Sequence, residues 1–204
     1  MMYIKKITFL NILLIYFFYN SIGFANQSTH KIEILVNDII ITNYDIAQHF
    51  AINSILNNIT ITPENGDILY KQTVNNLIDM KLQQAKINEY DIKIEDGRFD
   101  QYKNYFFQSK QLDKIKVYKI IKDNNLDVKA LEEKISTSIG WEQLTTGLFL
   151  HTISISTKEV NELLKSDESL SQELAKRILT NRQIQLKSDK YLRDLRAEAN
   201  VERR

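Results

Sequence analysis

"KIEILVNDIIIT", residues 31–42, decides how the rest of this 204-residue chain has to be arranged. Apolar, β-branched runs flank Asn37-Asp38, and an Asn-Asp pair tolerates the positive φ of a tight turn. The stretch therefore reads as a hairpin, with strands over 32–36 and 39–42. Two strands alone are marginal in water, and their edges leave backbone hydrogen-bonding groups open. The hairpin needs a third strand or a helical layer. The final "ANVERR" offers the strand: Asn200 to Arg203 returning to the hairpin and tying both ends of the chain into one small sheet.

Almost everything between reads as helix. Thr42 and Asp45 form a T-x-x-D capping box, in which hydroxyl and carboxylate satisfy unpaired backbone N–H groups. Ile46, Phe50, Ile52 and Ile55 carry that helix to a stop at Asn57-Asn58, and "NITITPENGD" follows as a loop with the only proline, Pro63. Asp67 to Tyr90 is the clearest helix: Leu69, Val74, Leu77, Ile78, Leu82 and Ala85 recur at spacings of three and four. Met80 and Ile87 widen its apolar surface beyond one stripe. Further helices are predicted through Phe107, from Leu112 to Asn124, and from Val128 to about Phe149 with a mild break near Gly140. After an extended link at Ile153 and Ile155, Thr157 and Glu159 open another helix. A long one runs from Leu170 to about Ala197, with Leu174, Ile178, Leu179, Leu186, Leu192 and Leu195 facing inward. The fold class expected is mainly α, with a small β-hairpin or sheet completed by a C-terminal strand.

The first residues read differently. Lys5 and Lys6 precede an apolar run from Ile7 to Tyr19, and Gly23-Phe24-Ala25 places small residues before Asn26. That order matches a secretory signal cleaved after Ala25. An uncleaved anchor fits less well, because Asn11 and Asn20 interrupt the run. The chain has no cysteine, so no disulfide is used. Without residues 1–25 it keeps 25 basic and 26 acidic side chains, a formal net charge of −1. Such a balance gives no electrostatic reason to bind nucleic acid. One local excess of lysine among aromatics, from Arg98 to Lys122, reads as helices with solvated lysines and a buried aromatic face. No nucleic-acid partner and no stable membrane insertion after signal cleavage are expected.

Catalytic patterns are missing. His30, His49 and His151 are scattered, with no spacing suited to a metal. There is no G-x-S-x-G and no glycine-rich phosphate loop. Glu132 and Glu133, adjacent on a helix, point about 100° apart and cannot face each other as acid and base. The reading is a protein that is not an enzyme and takes no cofactor or metal. What remains is aromatic surface. Tyr102, Tyr105, Phe106 and Phe107 put four aromatics into six residues, more than one helix face can bury. With Phe99, and with Trp141 as either core or groove wall, they are the candidate binding residues.

Three stretches resemble the N-terminal domain and C-terminal segment of the SurA-type periplasmic chaperones of Gram-negative bacteria. "ILVNDIIITNYDI" is similar to the family's opening of strand, Asn-Asp or Asn-Glu turn, strand, and Thr or Ser before an acidic helix start. "LYKQTVNNLIDMKLQQAKINEYDIKIED" looks like the family's long helix and the turn after it. "NRQIQLKSDKYLRDLRAEANVERR" is similar to its C-terminal motif: Arg182, Leu192, Leu195, Arg196, Ala199 and Val201 match, Tyr191 takes the aromatic place, and Lys187 departs from the acidic residue. In the family, one or two parvulin-type prolyl isomerase domains of about 100 residues sit between these parts. Here "KEVNELLKSDESLSQELAKRI", residues 158–178, runs through the patch Lys165 to Ser169 with no room for one.

With the signal peptide read over 1–25, the resemblance implies a chaperone-like domain over 26–165 and a C-terminal helix and strand over 166–204 packing back on it. It implies no isomerase activity in this chain, unless a separate protein supplies that domain. The function it implies is an ATP-independent periplasmic holdase for unfolded outer-membrane protein precursors, assisting their folding or delivery. Phe99, Tyr102, Tyr105, Phe106, Phe107 and Trp141 would be its client-binding residues. The alternative is a periplasmic adaptor with one fixed protein partner.

Overall fold

The computed structural model describes residues 30–204, and the signal sequence expected over 1–25 lies outside them. Strands β1 (Ile32–Val36) and β2 (Ile39–Thr42) form the hairpin, and Asn37 takes the turn's left-handed conformation at φ 52°. Ile34, Val36 and Ile41 face the core and are almost fully buried, whereas Ile40 on the other face is exposed. Strand β3 (Val201–Arg203) pairs antiparallel with β1, setting Ile34 opposite Arg203 and Val36 opposite Val201. β1 is therefore the middle of a three-stranded sheet in the order β2-β1-β3. Asn37 and Asn200 lock the junction. The Asn37 N–H donates to the Asn200 carbonyl at 2.8 Å, and the Asn200 N–H donates to Asn37 Oδ1 at 2.9 Å. All three β3 residues are exposed, so the strand satisfies the β1 edge and leaves the apolar face to be covered by helices.

Among the described residues, seven α-helices follow the hairpin and precede β3. They are α1 (Asn43–Leu56), α2 (Gly66–Glu89), α3 (Asp96–Ser109), α4 (Lys114–Asp123), α5 (Val128–Phe149), α6 (Thr157–Ser166) and α7 (Gln172–Glu198). Five of their starts are capped by side chains. Thr42 and Asp45 form the expected box on α1, Ser156 and Glu159 form another on α6, and Asp113, Asp127 and Ser171 each accept a backbone N–H. Four of their ends share a device. Asn58, Asp91, Gln111 and Asn125 each sit at positive φ two residues past α1, α2, α3 and α4. The next residue is always apolar and donates back to the last turn: Ile59 to the Ser54 carbonyl, Ile92 to Ile87, Leu112 to Phe107 and Leu126 to Ile121, all at 2.9–3.0 Å. This is the Schellman arrangement, built here without glycine.

The core has three parts. The sheet's apolar face packs on α1 and α2 through Ile34, Val36, Ile41, Ile46, Val74, Leu77 and Ile78. A second cluster joins α1, α3, α4 and α5 around Ile52, Phe107, Ile121, Leu131 and Ile135. In the third, Ile87 of α2, Trp141 and Leu144 of α5 and Tyr191, Leu192 and Leu195 of α7 meet. Two sequence expectations change. α5 runs unbroken through Gly140, where a Cβ would meet Ile87 side-chain atoms at 3.0–3.2 Å. The glycine is a point of close helix approach. Leu186, expected to face inward, is exposed.

α7 returns along α2 and is clamped there. Arg196 donates to Asp79, to the Asn75 carbonyl at 3.1 Å and to Asn75 Oδ1 at 2.9 Å. A polar seam joins α2 to α5: Lys81 and Gln84 donate to Glu133 Oε1 at 2.7 and 2.8 Å, and Gln84 also donates to Thr137 Oγ1. Burial alone would raise the Glu133 carboxyl, but these donors outweigh it and hold its pKa below the usual carboxylate value. His49 of α1 lies beside this seam, 4% exposed. Burial pulls its pKa down to about 4, with Glu133 opposing and Lys134 and Lys81 adding to the shift.

Two expectations follow. Deleting residues 199–204 removes the strand, the Asn37–Asn200 exchange and the packing of Ala199, and should cost about 2–4 kcal/mol at roughly 0.5–1.5 per hydrogen bond. Urea unfolding of the shortened chain with an unchanged midpoint would show that the ends contribute nothing. For His49 the folded pKa lies below the unfolded value, so its stabilising effect is present above pH 6.5 and is lost as pH falls toward 4. The loss should be on the order of 3 kcal/mol. Replacing His49 by Gln should flatten unfolding free energy between pH 6.5 and 4, leaving the further loss near and below pH 4.5 that Glu133 causes.

Candidate functional site

The aromatic segment falls on α3, and the helix divides it. Phe106 and Phe107 are neighbours 100° apart, so only one can turn inward fully; Phe107 does, at 2% exposure, against Tyr118. It belongs to the core, and the expectation that it presents binding surface is corrected. Phe99 and Phe106 are half-buried on the second cluster, with the ammonium groups of Lys103 and Lys110 over their rings at 4.9 and 5.5 Å. Tyr105 is 63% exposed, and Tyr102 is half-buried beside it, ring centroids 6.0 Å apart. Trp141 is 8% exposed and stacks on Tyr191 at 5.5 Å, within 6° of parallel. Of the two readings left open for it, the structure gives core. It lies on a different face of α5 from the surface that α3 presents.

Tyr102 lines a groove of about 470 Å³ between α3 and α5. Arg98 joins it from α3, and Ile139, Glu142, Gln143 and Gly147 form the α5 wall. A Cβ on Gly147 would meet nothing within 4 Å, so this end of the groove is open. Gln143 carries the feature that sequence reading missed. Its side-chain Nε2 is buried and has no hydrogen-bond partner within the protein. A turn of the Gln143 side chain toward the open groove would bring this unmet donor to an incoming carbonyl. No sequence signal marks it, because a glutamine on a helix is ordinary until its neighbours are known. Burial, with the Glu142 carboxylate beside its hydroxyl, pushes the Tyr102 phenol up to about 12, so it keeps its proton.

The groove offers apolar contact, neutral polar groups, the Arg98 guanidinium and the Glu142 carboxylate. Among the described residues no group of three His, Cys, Asp or Glu side chains could hold a metal ion, and no helix is long and apolar enough to cross a membrane.

The segment's division predicts opposite outcomes for its members. Phe107→Ser should cost about 3–5 kcal/mol, the scale of emptying an aromatic site in a core. Tyr105→Ser should change stability by less than about 0.5 kcal/mol. Thermal unfolding of the two variants checks this, and equal losses would contradict the placement of Tyr105. No protein-family model matches the chain, and no curated protein matches it.

Proposed function

We propose that this protein is an ATP-independent holdase that binds unfolded outer-membrane protein precursors in the periplasm, through the groove between α3 and α5. The observation that carries the reading is the groove's lining: Tyr102 and the neighbouring exposed Tyr105 on one lip, the unpartnered Gln143 amide on the other. Extended, unfolded chains offer two things in every sequence, backbone carbonyls and side chains. An amide donor takes the first and aromatic faces take the second, so such a site accepts many clients and needs no nucleotide. The resemblance to SurA-type chaperones supports the same reading, as does the order of hairpin, capped helix, long helix and returning C-terminal strand.

The turn between α6 and α7 supports the absence of isomerase activity in the chain. α6 ends at Ser166, Asp167 accepts from the Ser169 N–H and hydroxyl at 3.0 and 2.6 Å, and Ser171 caps α7. The position where the family carries a catalytic domain is an ordinary helical turn here.

Dilution of a urea-unfolded outer-membrane β-barrel into buffer, followed by light scattering, tests the proposal. Micromolar protein should slow aggregation of several unrelated barrels, and Tyr102→Ser or Tyr105→Ser should weaken this several-fold with helix content unchanged. Activity toward one client alone would favour the adaptor reading. No suppression of any client, or turnover of a proline-containing test peptide by the purified chain, would overturn the proposal.

A further inference from the structure

A second cleft, of about 210 Å³, opens where the C-terminal half of α1 faces the N-terminal half of α2, with Lys134 of α5 and Lys110, just past α3, on its walls. The other polar walls are neutral: Asn53, Gln72, Thr73 and Asn76 among them, and no Asp or Glu. Neither lysine has a carboxylate partner among the described residues. Lys110 lies over the Phe106 ring, and among the described residues no acceptor pairs with the Lys134 ammonium. Burial, with Lys110 adding to it, lowers the Lys134 pKa, the response of a cation short of counter-charge. Lys81 of the same region is matched by Glu133, so the imbalance is local to the cleft.

The cleft does not end there. Ser54 and Ile59 also line a neighbouring trough of about 500 Å³, whose apolar walls are Ile55, Ile59, Ile61, Ile120 and Leu126. Ile59 and Ile61 are exposed although both are large and apolar. Asn58, Thr60 and Asn124 punctuate the same trough with polar groups. An anion-accepting pocket thus continues into an apolar channel with hydrogen-bonding groups at intervals. Inorganic phosphate has no apolar part to fill the trough, and an acyl chain has no use for its amides and hydroxyls. A peptide ending uses both.

We propose that these joined cavities receive the free C-terminal carboxylate of an extended polypeptide, with the carboxylate between Lys134 and Lys110 and the preceding apolar side chains in the isoleucine trough. This deepens the chaperone reading and rests on it: the α3/α5 groove would hold internal segments of a client, and the second cleft its end.

Fluorescence anisotropy with a labelled ten-residue peptide ending in Val-Leu, made as the free acid and as the C-terminal amide, tests the inference. The free acid should bind at least tenfold more tightly than the amide. Lys134→Met should reduce the difference to less than twofold and leave amide binding unchanged. Lys110→Gln, at an exposed position, should narrow it in part and decides the matter if the Lys134 variant does not fold. Equal binding of acid and amide, no binding of either, or displacement of the peptide by phosphate or dodecanoate as readily as by unlabelled free acid would overturn it. The two readings fail separately. Suppression of barrel aggregation without acid-over-amide preference sinks only the carboxylate site, whereas preference without suppression sinks only the holdase.

Discussion

Everything else in this fold depends on β1 being paired on both edges by opposite ends of the described chain. A lone hairpin lying on helices would leave the β1 edge unsatisfied, and unmet backbone groups are costly where water is excluded. β3 closes that edge with residues 201–203, and its own side chains stay in solvent. Having the last residues at the sheet obliges α7 to travel back along α2, which is where Arg196 reaches Asp79 and Asn75. The same path lays Tyr191 flat on Trp141 and completes the third part of the core.

α5 is the other organising element. It packs against α1, α2, α3, α4 and α7, so its surface is shared out residue by residue. Glu133 and Thr137 take the seam to α2, Gly140 lets Ile87 approach, and Trp141 takes α7. Ile139, Gln143 and Gly147 are left to the α3 groove, while Lys134 reaches the cleft beside α1. Both proposed binding surfaces therefore share one well-supported helix. Their spacing is fixed by its rigidity, which would serve the proposed grip on an extended chain.

The parts of the fold legible in sequence are those set by local chemistry. The Asn37 turn, the Thr42 box and the apolar period of α2 act over a few residues, and each shows on reading. The helix ends at Asn58, Asp91 and Asn125 were equally local, an Asn or Asp followed by Ile or Leu. Gln111 lacks that signal and adopts the same conformation because Leu112 is anchored in the core. The C-terminal strand was legible only because the hairpin needed one. Residues whose meaning depends on distant neighbours were not legible. Phe107 is core and Tyr105 is surface for reasons of helix rotation, Gly140 is a contact with Ile87 from another helix, and Leu186 faces solvent within an otherwise inward-facing apolar series. Gln143 is the extreme case, since only the structure reveals an unmet donor.

The closure of the sheet also has a consequence in time. Ile34 and Arg203 are neighbours in space and among the most distant pairs in the described sequence. A chain made or threaded from its N-terminus has β1 and β2 early and must wait for β3 until almost all of it has emerged. Through that interval the central strand keeps one open edge. The sheet is therefore closed late, as a clasp that shuts only when residues 201–203 reach β1.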